Sequence, residues 1–166
     1  MQPVPPERMP GEYRLEGRRA YAQALDELIA NAEHTIRIFD RNIGRGFDSP
    51  GRCEMLRRLL RASSGNRIYI VLHETTNIVR DCPRLIVLLR QFSLALQFRH
   101  TLPDARGVYD AFAIADATRL VRRFHYDDMR GVAVVGDLAA TGLLLERFEQ
   151  IWHASAPAVA ATTIGL

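Results

Sequence analysis

Three short runs, TIRIF from Thr35 to Phe39, RIYIVL from Arg67 to Leu72 and LALQFRHT from Leu94 to Thr101, are rich in branched and aliphatic residues. Stretches of helical periodicity separate them, and this alternation constrains the fold more than any other feature. From Gly17, Tyr21, Ala24, Leu25, Leu28 and Ile29 recur on one helical face; Met55, Leu56, Leu59 and Leu60 form a second stripe, ending at Ser63 to Asn66. A third helical pattern runs through TNIVRDCPRLIVLLRQFS, with Pro83 as a kink or a late start. Strands joined through helices are linked βαβ units, and right-handed crossovers predict a largely parallel sheet.

The rhythm then changes. YDAFAIADATRLVRRFHY leaves no room for a helix and reads as a hairpin, Ala111–Ala115 and Thr118–Phe124, turning at Asp116 and Ala117. GVAVVGD is a further short strand, and Asp137 is placed to cap a final helix burying Leu144, Phe148, Ile151 and Trp152. The expected fold is α/β: a mixed, largely parallel sheet flanked by helices, with a late β-hairpin and a C-terminal helix. Residues 1–16 read as a Pro-rich arm, 17–155 as the domain and 156–166 as a flexible tail.

Every basic residue among the 22 is arginine. The absence of lysine excludes a Walker A phosphate loop, Schiff-base catalysis and any mechanism needing an ammonium group. A net charge of +3 permits nucleic-acid binding without demanding it. Cys53 and Cys82 lack CxxC spacing and nearby histidines, and read as reduced, buried thiols; neither a metal nor a cofactor is expected. No apolar run nears the roughly 20 residues of a membrane span, and the N-terminus has no secretory pattern, so a cytoplasmic location without membrane partners is expected.

Parallel strands bring their C-terminal ends to one edge, where open α/β sheets bind ligands. Asp40, His73, Glu74 and His100 all fall at or just past such ends. Their spacing is not metal-specific, and polar loops with histidines that cap strand ends or hydrogen-bond locally are the plainer account of them. His125, Tyr126, Asp127 and Asp128 follow the hairpin, and RRFHYDDMR mixes arginine with aromatics in a way that suits a nucleic-acid backbone.

The order of elements resembles one half of the phospholipase D superfamily fold. The likeness is carried by ALDELIANAEHTIRIFD, MLRRLLRASSGNRIYIVL, YDAFAIAD and LLERFEQIWHAS with its Phe-x-x-x-Trp ending. It is similar in particular to a catalytically degenerate bacterial branch, some members of which are fused to acetyltransferase-like domains. Active members carry H-x-K-x4-D on the late strand, a histidine nucleophile with a lysine holding phosphate oxygens. With Asp116 in the Asp position, the His position falls on Tyr109 and the Lys position on Ala111, and TRLVRRFHY replaces the downstream G-[ST]-x-N element. Tyrosine is a poor nucleophile at neutral pH and alanine carries no charge. Arg119, Arg122 or Arg123 on the next strand are the groups left to bind phosphate. The resemblance therefore implies a non-catalytic binding or assembly module, homodimeric because active members need two halves, with an acetyltransferase-like protein as a further partner. Its expected ligand-binding residues are Asp40, His73, Glu74, His100, Tyr109 and Arg122. A phosphoester hydrolase using the strand-end residues, and a nucleic-acid-binding module, stand as alternatives.

Overall fold

A computed structural model describes residues 7–159. In chain order its first half comprises β1 (Gly11–Leu15), α1 (Gly17–Ala30), β2 (Thr35–Asp40), α2 (Pro50–Ala62), β3 (Arg67–Leu72), α3 (Ile78–Asp81) and α4 (Pro83–Gln91). The second half comprises β4 (Leu96–Thr101), β5 (Ala111–Ala115), β6 (Arg119–Arg123), β7 (Gly131–Val135), α5 (Leu138–His153) and β8 (Ser155–Pro157). All strands join one eight-stranded mixed sheet in the order β1-β7-β6-β5-β2-β3-β4-β8.

Local chemistry explains most boundaries. Ser49 caps α2 by accepting from the Arg52 amide, with Pro50 at the first helical position. Pro83 splits the third helical pattern into α3 and α4, since its ring cannot continue the preceding turn. The Asp137 carboxylate accepts from the Ala140 amide and caps α5.

The parallel part of the sheet is smaller than expected. Among the described residues only β2–β3 and β3–β4 pair in parallel; β5 enters antiparallel to β2, and β5, β6 and β7 continue antiparallel. The connections from β5 to β7 are too short for a crossover helix, so successive strands must reverse. Gly11–Leu15, read from sequence as part of an aperiodic arm, is instead a strand paired antiparallel with β7. At the other edge Ser155–Pro157 pairs with β4, so the segment read as a tail begins within a strand; its remainder from residue 160, like residues 1–6 of the arm, lies outside the described residues.

The two faces of the sheet bury separate cores. α1, α2 and α4 cover one with Leu25, Leu28, Leu56, Leu59, Leu85 and Leu88, packed on Ile36, Ile68, Ile70 and Ala113. α5 covers the other with Leu144, Phe148 and Ile151 on Phe39, Val71, Phe112 and Ile114. Phe148 is essentially fully buried, and its truncation to alanine would cost about 3–5 kcal/mol.

One turn ties the hairpin to the parallel strands. Asp116 has φ 55°, and its carboxylate accepts from the amides of Glu33 (3.0 Å), His34 (2.8 Å) and Thr35 (3.0 Å). Aspartate tolerates this left-handed conformation better than most residues, and its acceptors satisfy donors at the entry to β2. The one residue that matches the H-x-K-x4-D pattern therefore has a structural task at the end of β5 remote from the ligand-binding edge.

Candidate binding site at the strand ends

β2, β3 and β4 finish together, and the chain that leaves them encloses a pocket of about 450 Å3. Arg41, His73, Glu74, Thr75, Thr76, His100, Arg106 and Tyr126 line it. The lining carries two guanidinium groups against one carboxylate, together with two imidazoles and three hydroxyls, those of Thr75, Thr76 and Tyr126. Arg41 is partly committed, its Nε to Glu74 and its Nη1 to Asp127, both at 3.3 Å, with its guanidinium carbon 5.1 Å from the Tyr126 ring centre. Arg106 and His100 have no side-chain hydrogen-bond or ion-pair partner among the described residues, which leaves their N–H groups free for a ligand.

His73 is held on both sides. Its Nε2 lies 2.7 Å from the Val108 carbonyl, which only accepts, so Nε2 carries a proton; in the neutral ring Nδ1 then accepts from the Thr101 hydroxyl, also at 2.7 Å. Thr101 is fully buried, and Phe39 packs on the imidazole in a T-shaped pair with ring centres 5.2 Å apart. A ring fixed by two hydrogen bonds has no free lone pair to attack a substrate or bind a metal.

Asp40 does not reach the pocket. It is clasped by Arg123, whose Nη2 sits 2.8 and 2.7 Å from the two carboxylate oxygens. Burial pushes the Asp40 carboxyl above the usual carboxylate range, while Arg123 and the Arg41 amide pull it back. Nη1 of Arg123 donates to the Tyr126 carbonyl at 3.0 Å, and its guanidinium covers the buried Tyr21 ring at 4.9 Å. The Tyr21 phenol is raised well above its usual value, chiefly by burial and then by Asp40. Arg123 stands directly across the β5–β6 ladder from Ala111. A neighbouring strand's cation, its charge already spent on Asp40, thus stands in register with the small residue at the Lys position.

Tyr109 is neither in the core nor in the pocket. It is 53% exposed beside the rim, stacked on His125 with ring centres 5.8 Å apart and planes 19° from parallel. Tyr126 lies 6.0 Å from Tyr109 and 4.7 Å from His125, its ring tilted 59° and 41° to theirs, so a stepped aromatic shelf with Tyr109 and His125 as its near-parallel part runs from the surface to the pocket wall. Arg122 points to the α5 face, where it shares the buried Asp110 carboxylate with Arg147. Arg119 pairs with Glu7 near the N-terminal segment.

Of the residues singled out in the sequence, the structure brings His73, Glu74 and His100 to one pocket. It sets Tyr109 beside the rim and withdraws Asp40 and Arg122 into ion pairs outside it. Arg41, Thr75, Thr76 and Arg106 were not singled out; extending the strand-end rule by one or two residues past Asp40 and Glu74 would have found the first three. Tyr126 belonged to the HYDD group, and its place on the pocket wall comes from the β6–β7 turn. Asp128 of that group is held by Arg130, which lowers its carboxyl to about 2. No group of three or more metal-ligating side chains occurs among the described residues, and no helix there is long and apolar enough to cross a membrane.

Solved structures share this architecture. Nuc from Salmonella typhimurium, described as a phospholipase D family member, superposes with a TM-score of 0.62 at 16% identity, over 92% of this chain and 100% of that one. NucT from Helicobacter pylori gives 0.58 at 12% identity, over 89% and 99%. TrmBL2, an archaeal chromatin protein described as having a novel mode of DNA binding, gives 0.61 at 16% identity; 89% of this chain matches 54%, about half, of that one. At these identities the likeness shows the fold alone, and the fold is phospholipase D-like. No curated protein matches the sequence. A family model does match residues 17–161, nearly the whole of the described fold, and the chain belongs to that family, a domain of unknown function (DUF7931).

Proposed function

We propose that this chain is a non-catalytic phospholipase D-like binding domain whose strand-end pocket takes the phosphate group of a small ester. The carrying observation is the pairing of Arg123 with Asp40 opposite Ala111, which sets a neutralised ion pair beside the position where active members carry their lysine. Tyr109, at the nucleophile position, stacks face to face on His125, whose Nδ1 accepts from the Asp127 amide, and its hydroxyl makes no hydrogen bond to a base among the described residues. The pocket beside them supports binding instead. Arg106 and Arg41 supply planar donor forks, the geometry that suits phosphate oxygens, and Thr75 and Thr76 add hydroxyl donors. The phospholipase D-like resemblance adds a symmetric pair of chains as the assembled form, for which sedimentation equilibrium is the test.

The decisive experiment pairs calorimetric titration of inorganic phosphate with a hydrolysis screen on bis-p-nitrophenyl phosphate and p-nitrophenyl phosphate. Binding that weakens at least tenfold in Arg106→Ala, with no turnover of either ester, is the expected result. Turnover sensitive to His100→Ala or Glu74→Gln would replace the reading with the hydrolase one, and absence of phosphate binding would remove it.

A further inference from the structure

We infer that the ligand of this pocket is a 5′-phosphorylated nucleotide, its base laid on the Tyr109–His125–Tyr126 shelf while its phosphate sits among Arg106, Arg41 and His100. The inference rests on the phosphate-binding reading above and adds the group attached to the phosphate. A pocket built only for phosphate needs no aromatic wall, yet Tyr126 forms one side of it and passes directly into two further rings. Tyr109 and His125 are both exposed, and neither side chain is drawn into the core below. A surface tyrosine with one face on an imidazole and more than half its area in water offers a flat apolar face of the kind that bases stack on. The shelf and the donors are contiguous, so one nucleotide can touch both.

The charge pattern favours a single nucleotide unit over a long polyanion. Around the shelf Arg41 is matched by Glu74 and Asp127, Arg130 by Asp128, and Arg122 and Arg147 share Asp110. Among the described residues most cations of this edge are paired, which leaves no broad positive field to track a phosphate backbone, as nonspecific nucleic-acid binding requires. Arg106, without an ion-pair partner among the described residues, is a local exception at the pocket itself. A terminal monoester, with two negative charges and three free oxygens, uses clustered donors more fully than an internal diester does. The nucleotide therefore comes either free or as the 5′-phosphorylated end of a single strand.

Calorimetric titration of the full chain with 5′-AMP, ribose 5-phosphate and inorganic phosphate tests the assignment. Two decathymidylates, one 5′-phosphorylated and one with a 5′-hydroxyl, distinguish the sources. The expected result is that 5′-AMP binds at least tenfold more tightly than ribose 5-phosphate, and that Tyr109→Ala abolishes this advantage without weakening ribose 5-phosphate. Tyr109→Phe keeps it. Tighter binding of the phosphorylated oligonucleotide than of 5′-AMP would identify a strand end, and equal or weaker binding a free nucleotide. Equal affinity for 5′-AMP and ribose 5-phosphate would overturn the inference while leaving phosphate binding intact. So would a 5′-hydroxyl oligonucleotide that binds as well as its phosphorylated counterpart. If no phosphate compound binds, the phosphate reading itself fails.

Discussion

Arg123 faces Ala111 across the β5–β6 ladder, and its guanidinium holds both oxygens of Asp40. A largely buried ion pair is costly to assemble but far more costly to break on one side, because the orphaned charge stays mostly out of water. Arg123→Ala should therefore destabilise the domain by about 3–5 kcal/mol. Replacing the pair together, Asp40→Leu with Arg123→Met, should cost less than Arg123→Ala alone. Urea melts of the singles and the double would check both statements, and additivity would mean the two groups are not coupled.

The same relationship predicts that restoring the motif residues will not restore chemistry. Tyr109→His with Ala111→Lys puts an ammonium group at a fully buried position, opposite a cation that already holds Asp40. Burial and like charge both disfavour it, so the double variant should melt lower than the parent and hydrolyse bis-p-nitrophenyl phosphate no faster. Adding Arg123→Gly frees Asp40 to pair with the new lysine, and this triple variant should regain part of the lost stability.

Asp116 separates a structural carboxylate from a functional one. Asp116→Ala removes an acceptor shared by three amides and leaves a Cβ residue without local support at φ 55°. A loss of about 3 kcal/mol is expected, whereas Asp116→Asn keeps one acceptor oxygen and a tolerated conformation and should lose about half as much. Ligand affinity, measured below the melting temperature, should not change in either variant.

These residues also show how far sequence carried the argument. The hairpin and its turn were legible to within a residue, because an aspartate at the turn and an alternation without space for a helix act locally. β1 was not, since GEYRL is a strand only through its pairing with β7, at the far end of the chain. Three of the expected site residues do meet at one pocket, because strand ends are a local property of each strand. Asp40 satisfied the same rule but was withdrawn by Arg123, 83 residues away, and no local pattern announces such a partner. Arg106 sits in the loop before β5, and only tertiary packing brings that loop over the ends of β3 and β4.

The close approach of β6 and β7 makes a further backbone test. A Cβ built on Gly131 would stand 2.0 Å from the Arg122 carbonyl oxygen, a backbone atom with no freedom to rotate aside. Gly131→Ala must push the strands apart exactly where Arg123 begins its reach to Asp40, since Gly131 and Arg123 are register partners. A loss of about 2–4 kcal/mol is expected by thermal or urea melting, larger than for Gly142→Ala, where a Cβ meets nothing nearby.

The cysteines give stability a pH dependence on the alkaline side. Burial, reinforced by Asp48, pushes the Cys53 thiol up to about 12 and the Cys82 thiol up to about 11, against 9.0 for a free thiol. Both groups are therefore neutral in the fold over a range where the unfolded chain ionises. A raised folded value means that the unfolded state releases protons first, so the contribution is complete below pH 9 and lost as pH rises toward 11 to 12. Each thiol should lower the unfolding free energy by about 1.4 kcal/mol per pH unit within its window. The double variant Cys53→Ala, Cys82→Ala should have a flatter profile above pH 9, whatever its absolute stability. Iodoacetamide at pH 8 should label neither thiol in the native protein and both after denaturation, because the reactive thiolate forms only once the sulfur leaves the core.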